Sequence, residues 1–377
     1  MKNTSDTIHV CIASDDAYAP LITTVIASAC TNTKRFIQFW CLETGISAFN
    51  KRMIDRMHDQ FSHFGIEYLP IDREKVQNFA NKISTSGHIS SDTYSRLFIP
   101  DLFSKMEKLI YLDVDTLVMG DIGTLYDIDL GKYALGAVAA DYGVDKTAWF
   151  RNLEMDKAHH YFNAGVLLMN PKELCADQFL DRMNNLAEQY GPHIMLGDQD
   201  LLNKYFNAQY LELPWRFNLT TRFLELELAH HDPQHRTQMA DEYRNCVIRH
   251  FESSRKPWNA THNICNGAPI KNMSDFWTVV QMTPYKEWFT VQFNTTKMNL
   301  VQGNIWRYLH ETQTVFSSYR YKLFGFLPLL TIKHKNKKTK YVLFGGIPLL
   351  TCKEKKNGQK RIYKLFGFLT LLGVKRK

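Results

Sequence analysis

The chain has 377 residues, 45% of them apolar, and a formal net charge of +8, so it can bury a core as one large α/β domain with an appendage or as two ordinary domains. The charge is unevenly placed, because the segment from Arg320 onward has 16 Lys and Arg residues against the single acid Glu354, whereas the residues before it have 30 basic and 37 acidic side chains. The seven cysteines form no C-x-x-C pair, which argues against a disulfide framework and a zinc site. No apolar run approaches the roughly 20 residues that span a bilayer, and Met1–Thr7 lacks the pattern of a signal peptide, so we expect a cytoplasmic protein without a transmembrane anchor.

The predicted elements near the N-terminus alternate between strand and helix. Ile8–Ala13, Phe36–Leu42 and Ile66–Ile71 have the apolar content of buried strands. Helices are predicted between them, near Leu21–Thr31 and over Ser47–Phe64, and the apolar residues of the second are spaced for one helix face. The chain is therefore predicted to open as β-α-β-α-β.

Further elements continue this alternation up to about residue 260. The predicted elements are a helix over Ser91–Phe103, strands over Leu109–Val114, Tyr133–Ala139, Tyr161–Met169 and Cys246–Arg249, a helix from Pro171 to about Tyr190, and a helix from about Asp198. Such a pattern predicts an α/β domain, with an open, mostly parallel sheet and helices on both faces. Because ligands of such sheets bind outside the carboxyl ends of the strands, polar residues that follow strands are the candidates for a site.

The C-terminal part of the chain differs in composition. Residues 261–316 are rich in Phe, Trp and Tyr and are predicted to be helical and to pack beside the core. Residues 317–377 contain three similar apolar blocks, beginning at Tyr321, Tyr341 and Tyr363, that alternate with Lys-rich runs. Because basic segments are attracted to anionic lipids and aromatic residues settle at the interface, we expect this tail to hold the protein on the inner face of the cytoplasmic membrane through short interfacial segments.

Two carboxylates, Asp113 and Asp115, follow the apolar run Leu109–Leu112. Two such groups repel each other unless a cation bridges them, and hard oxygen ligands suit Mg²⁺ or Mn²⁺, which also bind substrate phosphates. His250 stands at another predicted strand end and Lys256 follows it; an imidazole favours Mn²⁺, and a lysine can neutralise a diphosphate leaving group. The alternatives are a loop with two solvated acids and a purely structural histidine.

The motifs that carry these residues resemble, in their order along the chain, glycosyltransferase family 8 of the GT-A fold, especially the bacterial lipopolysaccharide and lipooligosaccharide galactosyl- and glucosyltransferases. The resemblance covers about residues 7–260 and rests on Ala13-Ser-Asp-Asp-x-Tyr18, His88-Ile-Ser-x-x-Thr-Tyr-x-Arg96-Leu, Leu112-Asp-x-Asp-Thr116, Asn163-Ala-Gly-Val-Leu-Leu, Asp198-Gln-Asp-Leu-Leu-Asn203 and His250 to Lys256-Pro-Trp258. Ala17 and Ser253 depart from the Asn and Gly that are common at these positions in the family.

The resemblance implies a hexosyltransferase that moves galactose or glucose from a UDP-sugar to a lipid-linked, lipopolysaccharide-type glycan acceptor. It implies Mn²⁺, with Mg²⁺ as the alternative ion, bound by Asp113, Asp115 and His250. Asp15 would bind the uracil edge and Tyr18 would stack on the base. The structural alternative is that Asp15 is a helix N-cap and Tyr18 a core aromatic. The other implied nucleotide-sugar contacts are Ala13, His88, Arg96, Asn163 and, at the phosphates, Lys256.

The resemblance also implies retention of the anomeric configuration, which two routes can achieve. Either a protein group attacks the anomeric carbon first, or the acceptor hydroxyl attacks on the face that UDP leaves. Gln199 is a poor nucleophile and Asp198 is chemically a better one. We expect front-face attack, with Gln199 and Asp198 stabilising the sugar as the catalytic residues, the phosphate of UDP accepting the proton, and Asp141 facing the acceptor.

Two other functions compete with this interpretation. Leu112-Asp-Val-Asp-Thr-Leu also looks like the nucleophile motif of Mg²⁺-dependent phosphatases of the haloacid-dehalogenase type, but that motif normally follows the first strand of its domain. A non-enzymatic basic adaptor would need only the tail, whose lysines bind any polyanion. Because the adaptor leaves the polar groups at three strand ends unused, we expect a UDP-sugar, a glycan acceptor and an anionic membrane as partners, and no nucleic acid.

Overall fold

The computed structural model describes residues 6–83, 91–140, 148–221, 232–252, 256–259, 264–265, 268–269 and 274–294, and six strands between residues 319 and 375. The chain divides into two compact units, Met1–Met298 and Asn299–Lys377. Within the described ranges, every helix is too short or too polar to cross a bilayer.

The first unit is built on a seven-stranded sheet in the order β3-β2-β1-β4-β7-β6-β8. Strands β1 to β4 run parallel, β7 is antiparallel to both β4 and β6, and β8 is parallel to β6. The strands of this unit are β1 (Ile8–Ser14), β2 (Ile37–Glu43), β3 (Phe64–Pro70), β4 (Leu109–Leu112), β5 (Thr116–Val118), β6 (Leu135–Ala139), β7 (Phe162–Met169), β8 (Leu211–Glu212), β9 (Leu219–Thr220), β10 (Ile248–His250), β11 (Ile264–Cys265) and β12 (Ala268–Pro269). The predicted mostly parallel α/β sheet is confirmed.

Helices cover both faces of this sheet. Alternate residues of β1 belong to two different apolar clusters, with Val10 and Ile12 in one and Cys11 in the other, and all residues of β4 and β7 are buried. The helices are α1 (Ala19–Asn32), α2 (Ala48–Asp55), α3 (Arg73–Ala80), α4 (Ile99–Leu102), α5 (Gly123–Tyr126), α6 (Ala148–Asn152), α7 (Pro171–Ala176), α8 (Phe179–Tyr190), α9 (Asp198–Phe206), Pro233–Arg244, Ser274–Val280 and 286–294.

A small second sheet has the order β5-β10-β9, and its strand β5 is the next strand after β4 along the chain. β5 begins at Thr116, directly after the two aspartates, and its antiparallel pairing with β10 sets His250 opposite Thr116. The Phe251 N–H also donates to the Asp115 carbonyl oxygen over 2.9 Å. This pairing brings His250 to the aspartates from 135 residues further along the chain.

Several predicted helices have different bounds in the structure. The helix predicted over Ser91–Phe103 is a 3-10 helix, Ser91–Phe98, followed by the short α4, because Pro100 has no N–H to continue an α-helical ladder. The helix predicted from Pro171 to Tyr190 is interrupted at Gln178, which adopts a left-handed conformation with φ 55°. The predicted helix over Ser47–Phe64 ends at Asp55 and continues only as one 3-10 turn.

The second unit contains an antiparallel sheet whose six strands follow chain order. They are β13 (Tyr319–Leu323), β14 (Leu327–Lys335), β15 (Lys338–Leu343), β16 (Ile347–Lys355), β17 (Lys360–Leu365) and β18 (Leu369–Lys375). Register shifts recur just after the repeated tyrosines Tyr321, Tyr341 and Tyr363, so each apolar block forms one irregular hairpin. Of the region 261–316, predicted to be helical, Ser274–Val280 and 286–294 are helical, whereas β11 and β12 form a short antiparallel pair, so the prediction is wrong there.

Candidate active site

The order of the strands reverses between β1 and β4, the two central neighbours of the large sheet. Ligands of open α/β sheets bind outside the carboxyl ends of the strands at such a reversal. Ile12 pairs with Leu112, so the residues that follow β1 and those that follow β4 leave the same edge side by side. This geometry places the Asp15 and Asp113 segments together.

Asp113, Asp115 and His250 converge at this edge. One ligand atom from each lies within 4.8 Å of the others, and His250 Nε2 is 3.2 Å from Asp115 Oδ1 and 3.8 Å from Asp113 Oδ2. The turn between the aspartates is held by Thr116, whose hydroxyl donates to the Asp113 carbonyl oxygen over 2.8 Å. Two carboxylates and an imidazole at this spacing form a donor set suited to a divalent cation.

Gly165 of β7 leaves the space that this cluster needs. A Cβ atom at Gly165 would lie 2.7 Å from Asp113 Oδ2 and 2.9 Å from His250 Nδ1, and it would overlap the His250 Cε1 atom. Its carbonyl oxygen accepts from the Asp113 N–H over 2.8 Å. The glycine in the Asn163-Ala-Gly motif is therefore required for Asp113 and His250 to approach each other.

Arg96 is 5% exposed and connects two of the carboxylates. Its Nη2 donates to Asp113 Oδ1 over 2.9 Å, and its Nε lies 2.8 Å from Asp198 Oδ2 while the Nε–H itself is directed to the Thr93 carbonyl oxygen. Burial would lower the pKa of Arg96, but Asp113 and Asp198 raise it above its usual range. Arg96 therefore holds these carboxylates in place, and its position beside a donor sugar stays a prediction.

The same charges shift the other titratable groups of the site. Burial raises the pKa of Asp198 to about 6, although Arg96 opposes the shift. Burial would also raise the pKa of Asp115, but Lys256 and His250 lower it below its usual range. Burial would lower the pKa of His250, whereas Asp115 and Asp113 raise it, and the net shift is upward.

Gln199, in the first turn of α9, is held by three hydrogen bonds. Its Oε1 accepts from the Ala164 N–H over 3.0 Å and from Asn163 Nδ2 over 3.1 Å, and its Nε2 donates to the Tyr161 hydroxyl over 3.2 Å. Since both acceptor positions of the amide oxygen are taken, this oxygen is not available to attack a sugar. The structure thus brings Asn163 and Gln199 together, and their place around a donor sugar stays a prediction.

Tyr18 and Asp15 lie in the turn between β1 and α1. Tyr18 is 44% exposed, which contradicts the alternative of a core aromatic and is what a stacking platform requires. Asp15 Oδ1 accepts from the Tyr18 N–H over 2.9 Å within the turn, but the N-cap of α1 is Tyr18 and has no side-chain cap, so the alternative of Asp15 as a helix N-cap is wrong. Ala13, at the end of β1, is partly buried.

Lys256 lies beside this cluster, where its Nζ contacts Asp115 Oδ2 and donates to the Phe251 carbonyl oxygen over 2.8 Å. The predicted His88 and Asp141 lie outside the described residues. Asn218 contacts His250, but it was not predicted as a site residue because it lies in none of the motifs of the sequence. Glu252, whose Oε2 is 3.5 Å from Asn163 Nδ2, was also missed, although it stands inside a quoted motif.

The sequence is similar to known glycosyltransferases. Residues 9–262 match the sequence profile described as glycosyl transferase family 8. A putative glycosyltransferase of Haemophilus influenzae is 31% identical over 217 residues, covering 57% of this chain and 64% of that protein, slightly less than two thirds of its length. General stress protein A of Bacillus subtilis is 28% identical over 261 residues, covering 67% of this chain and 88% of that protein.

Solved structures of glycosyltransferases share the fold. A crystal structure of an active-site mutant of LgtC has a TM-score of 0.61 and 26% identity, covering 74% of this chain and 96% of that one. The galactosyltransferase LgtC in complex with donor and acceptor sugar analogues has a TM-score of 0.58 and 26% identity, covering 76% and 96% of the two chains.

Proposed function

This chain belongs to glycosyltransferase family 8, and we propose that it transfers galactose or glucose from a UDP-sugar to a lipopolysaccharide-type glycan acceptor, with retention of configuration and with Mn²⁺ as its cofactor. The observation that carries the proposal is the convergence of Asp113, Asp115 and His250 at the strand reversal, next to the turn that holds Asp15 and Tyr18. The likeness to LgtC, a galactosyltransferase solved with donor and acceptor sugar analogues, supports the substrate classes.

The donor set fits a divalent ion, and the imidazole among the ligands favours Mn²⁺ over Mg²⁺. Bound there, the ion would neutralise charge on the diphosphate leaving group. Lys256, already beside Asp115, would add a second positive charge to the same phosphates. Tyr18 would stack on the uracil and Asp15 would bind its edge, at the open end of β1.

The environment of the two candidate catalytic residues favours front-face transfer. Asp198 is 4% exposed, its Oδ1 accepts from the Thr93 hydroxyl, and its Oδ2, which accepts no hydrogen bond, lies 2.8 Å from Arg96 Nε, so this buried carboxylate is poorly placed to form a covalent intermediate. Gln199 has no free carbonyl lone pair for attack. The acceptor hydroxyl oxygen then forms the new bond to the anomeric carbon, the bond to UDP breaks on the same face, and a phosphate oxygen of UDP takes the hydroxyl proton.

The competing functions explain less of the molecule. In a phosphatase of the haloacid-dehalogenase type the Asp-x-Asp motif would follow the first strand, whereas here it follows the fourth, and the family match is to glycosyltransferases. A basic adaptor would use neither the three converging ligands nor the buried Arg96 that bonds to Asp113.

Substitution of the ligands tests the proposed function. We expect Asp113→Asn, Asp115→Asn and His250→Ala each to lower Mn²⁺-dependent UDP-sugar hydrolysis and transfer by about 100-fold or more, since each removes one ligand of the ion that offsets the leaving-group charge. Asp181→Asn, at an exposed position of α8, is the matched control and should keep full activity. Turnover without added metal, or near-normal transfer by any of the three variants, would contradict the assignment.

A second part of the proposal concerns the C-terminal sheet, whose register places most of the basic residues on one face. Residues alternate between the two faces along each strand. One row across the sheet is Tyr319, Ile332, Tyr341, Leu350, Leu365 and Leu369, and another, on the opposite face, is Lys333, Lys340, Thr351, Lys364 and Thr370. The basic positions on that opposite face, here called the lysine face, are Arg320, Lys322, Lys333, Lys335, Lys338, Lys340, Lys353, Lys355, Lys360, Lys364 and Lys375.

The lysine face is complementary to anionic lipid headgroups. Each Lys or Arg near such a surface contributes about 1 kcal/mol, so a fraction of this face suffices for reversible binding. The proposed location is therefore the inner face of the cytoplasmic membrane, as a peripheral protein, where the acceptor is lipid-linked. The continuous sheet replaces the separate interfacial segments expected from the sequence.

A further inference from the structure

Asn218 lies between the metal ligands and the residues proposed to bind the sugar. It follows the 3-10 turn Trp215–Phe217 and precedes β9, the parallel neighbour of β10, so it is held beside His250 by the sheet itself. Its side chain is 2% exposed. Asn218 Oδ1 is 3.1 Å from His250 Nδ1, and Asn218 Nδ2 donates to Asn163 Oδ1 over 2.8 Å.

Backbone amides determine which atom of each side-chain amide is the donor. The Gly165 N–H, which can only donate, lies 2.9 Å from one atom of the Asn163 amide, so that atom is the oxygen. Asn218 must then present its NH₂ group to this oxygen, which leaves its own oxygen facing His250. An oxygen at that position requires a hydrogen on His250 Nδ1.

The second branch of the network has the same polarity. The Ala164 N–H donates to Gln199 over 3.0 Å, so the atom it meets is Oε1, and Asn163 Nδ2 donates to that oxygen as well. Two successive N–H groups of β7, at Ala164 and Gly165, thereby orient the amides of Asn163, Asn218 and Gln199 together.

We propose that Asn218 is a positioning residue that holds His250 as the Nδ1–H tautomer, with the Nε2 lone pair directed to the ion between Asp113 and Asp115, and that joins this histidine to Gln199 through Asn163. A histidine that binds a metal through one ring nitrogen depends on the hydrogen bond made by the other nitrogen. The inference rests on the proposed metal site, but the hydrogen bond from His250 Nδ1 to Asn218 Oδ1 is present in the metal-free structure and can be measured without the ion.

The first test reads the tautomer directly. We expect ¹⁵N spectra of histidine-labelled, metal-free protein, assigned with His250→Gln, to show a hydrogen on Nδ1 in both the charged and the neutral ring, because Asn218 Oδ1 accepts it, although Nε2 faces Asp115 Oδ1 at 3.2 Å. In Asn218→Leu, which has no acceptor at this position, the neutral ring should instead carry its hydrogen on Nε2, which donates to Asp115. A neutral wild-type ring with its hydrogen on Nε2 would overturn the inference and leave the proposed transferase activity untouched.

The second test separates the two hydrogen bonds of Asn218. Asn218→Leu removes both and should weaken Mn²⁺ binding about 10- to 100-fold, measured by titration calorimetry. Asn218→Asp keeps an acceptor for His250 but cannot donate to Asn163, so Mn²⁺ should bind at least as tightly as in the wild type while kcat falls. Melting curves identify a variant that fails to fold. If Asn218→Leu does not fold, the Mn²⁺ affinity and kcat of Asn218→Asp alone test the positioning role.

Unchanged Mn²⁺ affinity in a folded Asn218→Leu protein would overturn the positioning role. Equal loss of Mn²⁺ affinity in both variants would do the same, because a purely structural asparagine would not distinguish an acceptor from its absence. Asn185→Leu, at an exposed position of α8, is the control and should leave affinity, tautomer and turnover as they are.

Discussion

The amide of Gln199 has both of its ends assigned by hydrogen bonds to Ala164, Asn163 and Tyr161. We expect Gln199→Ala to lower kcat by about 100-fold with little change in KM. The fixed dipole of the Gln199 amide acts on the sugar more strongly as charge develops there, and it contributes little to binding of the ground state. Steady-state kinetics with a UDP-sugar and a glycan acceptor measures both constants. An effect confined to KM would contradict this role.

Asp198 links the pH dependence of stability to the site. Its pKa is raised by burial from 3.8 to about 6, so the folded state binds this proton more tightly than the unfolded state. Its contribution to stability is therefore present at low pH and is lost as pH rises through about 6. Asp198→Asn lacks this loss, and we expect the variant to gain up to roughly 3 kcal/mol in free energy of unfolding relative to the wild type between about pH 4 and pH 8.

Urea denaturation of both proteins across this pH range measures the difference, in which the titrations common to both cancel. A difference that stays constant with pH would show that Asp198 has an ordinary pKa. Arg96 keeps its bond to Asp113 in the variant, so a buried arginine without any partner does not complicate the comparison.

Individual residues of the site differ in how far the sequence predicts them. Asp113 and Asp115 follow an apolar strand and His250 ends another, so their convergence could be predicted from the rule that strand ends meet at one edge. Asn218 could not, since its role arises from the pairing of β9 with β10, a contact between two short strands that have no distinctive pattern. The burial of Arg96 beneath the carboxylates likewise depends on tertiary packing.

β7 contributes a close backbone approach as well as a strand. Gly165→Ala would place a methyl group against Asp113 Oδ2 and His250, within the distances at which atoms overlap. We expect Mn²⁺ affinity to fall at least 10-fold and stability to fall by about 1–3 kcal/mol, because a rigid strand cannot move aside without disturbing its neighbours. Titration calorimetry and melting curves provide the two measurements.

Gly120→Ala is the matched control for this change. A Cβ atom at Gly120 would meet its nearest neighbours at 3.4 to 3.5 Å, which is ordinary van der Waals contact, so metal affinity should be retained. Normal Mn²⁺ binding by a folded Gly165→Ala protein would mean that His250 and Asp113 are not both ligands.

Among the elements, the strands of the large sheet were predicted well and the helices less so. Runs such as Leu109–Leu112 are buried on both faces and have a clear apolar signal. The 3-10 helix Ser91–Phe98 and the break at Gln178 depend on a missing N–H at Pro100 and on one left-handed residue, neither of which changes the apolar periodicity. α3 (Arg73–Ala80) was missed because only Val76 and Phe79 of its residues are buried.

At the scale of the whole molecule, the uneven charge coincides with the division into two units. The sequence predicts a basic tail with three repeats, but the strands within it were not predicted, because a proline or an extra residue shifts the register inside each block and interrupts the alternation of apolar and basic residues. Only the pairing of the strands shows that most of the basic residues lie on one face, while Arg361, opposite Glu354, lies on the other.

The arrangement of charge on this sheet, rather than the total charge, should determine membrane binding. We expect the combined change Lys333→Glu, Lys340→Glu and Lys364→Glu, all on one row of the lysine face, to weaken binding to vesicles containing phosphatidylglycerol by at least 100-fold, since each reversal replaces about 1 kcal/mol of attraction with repulsion. The combined change Lys75→Glu, Lys105→Glu and Lys157→Glu, at exposed positions of the first unit, alters the net charge equally and is the control.

Vesicle co-sedimentation measures binding, and Mn²⁺-dependent UDP-sugar hydrolysis should persist in both variants. Equal losses in the two variants would reduce the effect to net charge, and tighter binding to RNA than to vesicles would favour the adaptor instead.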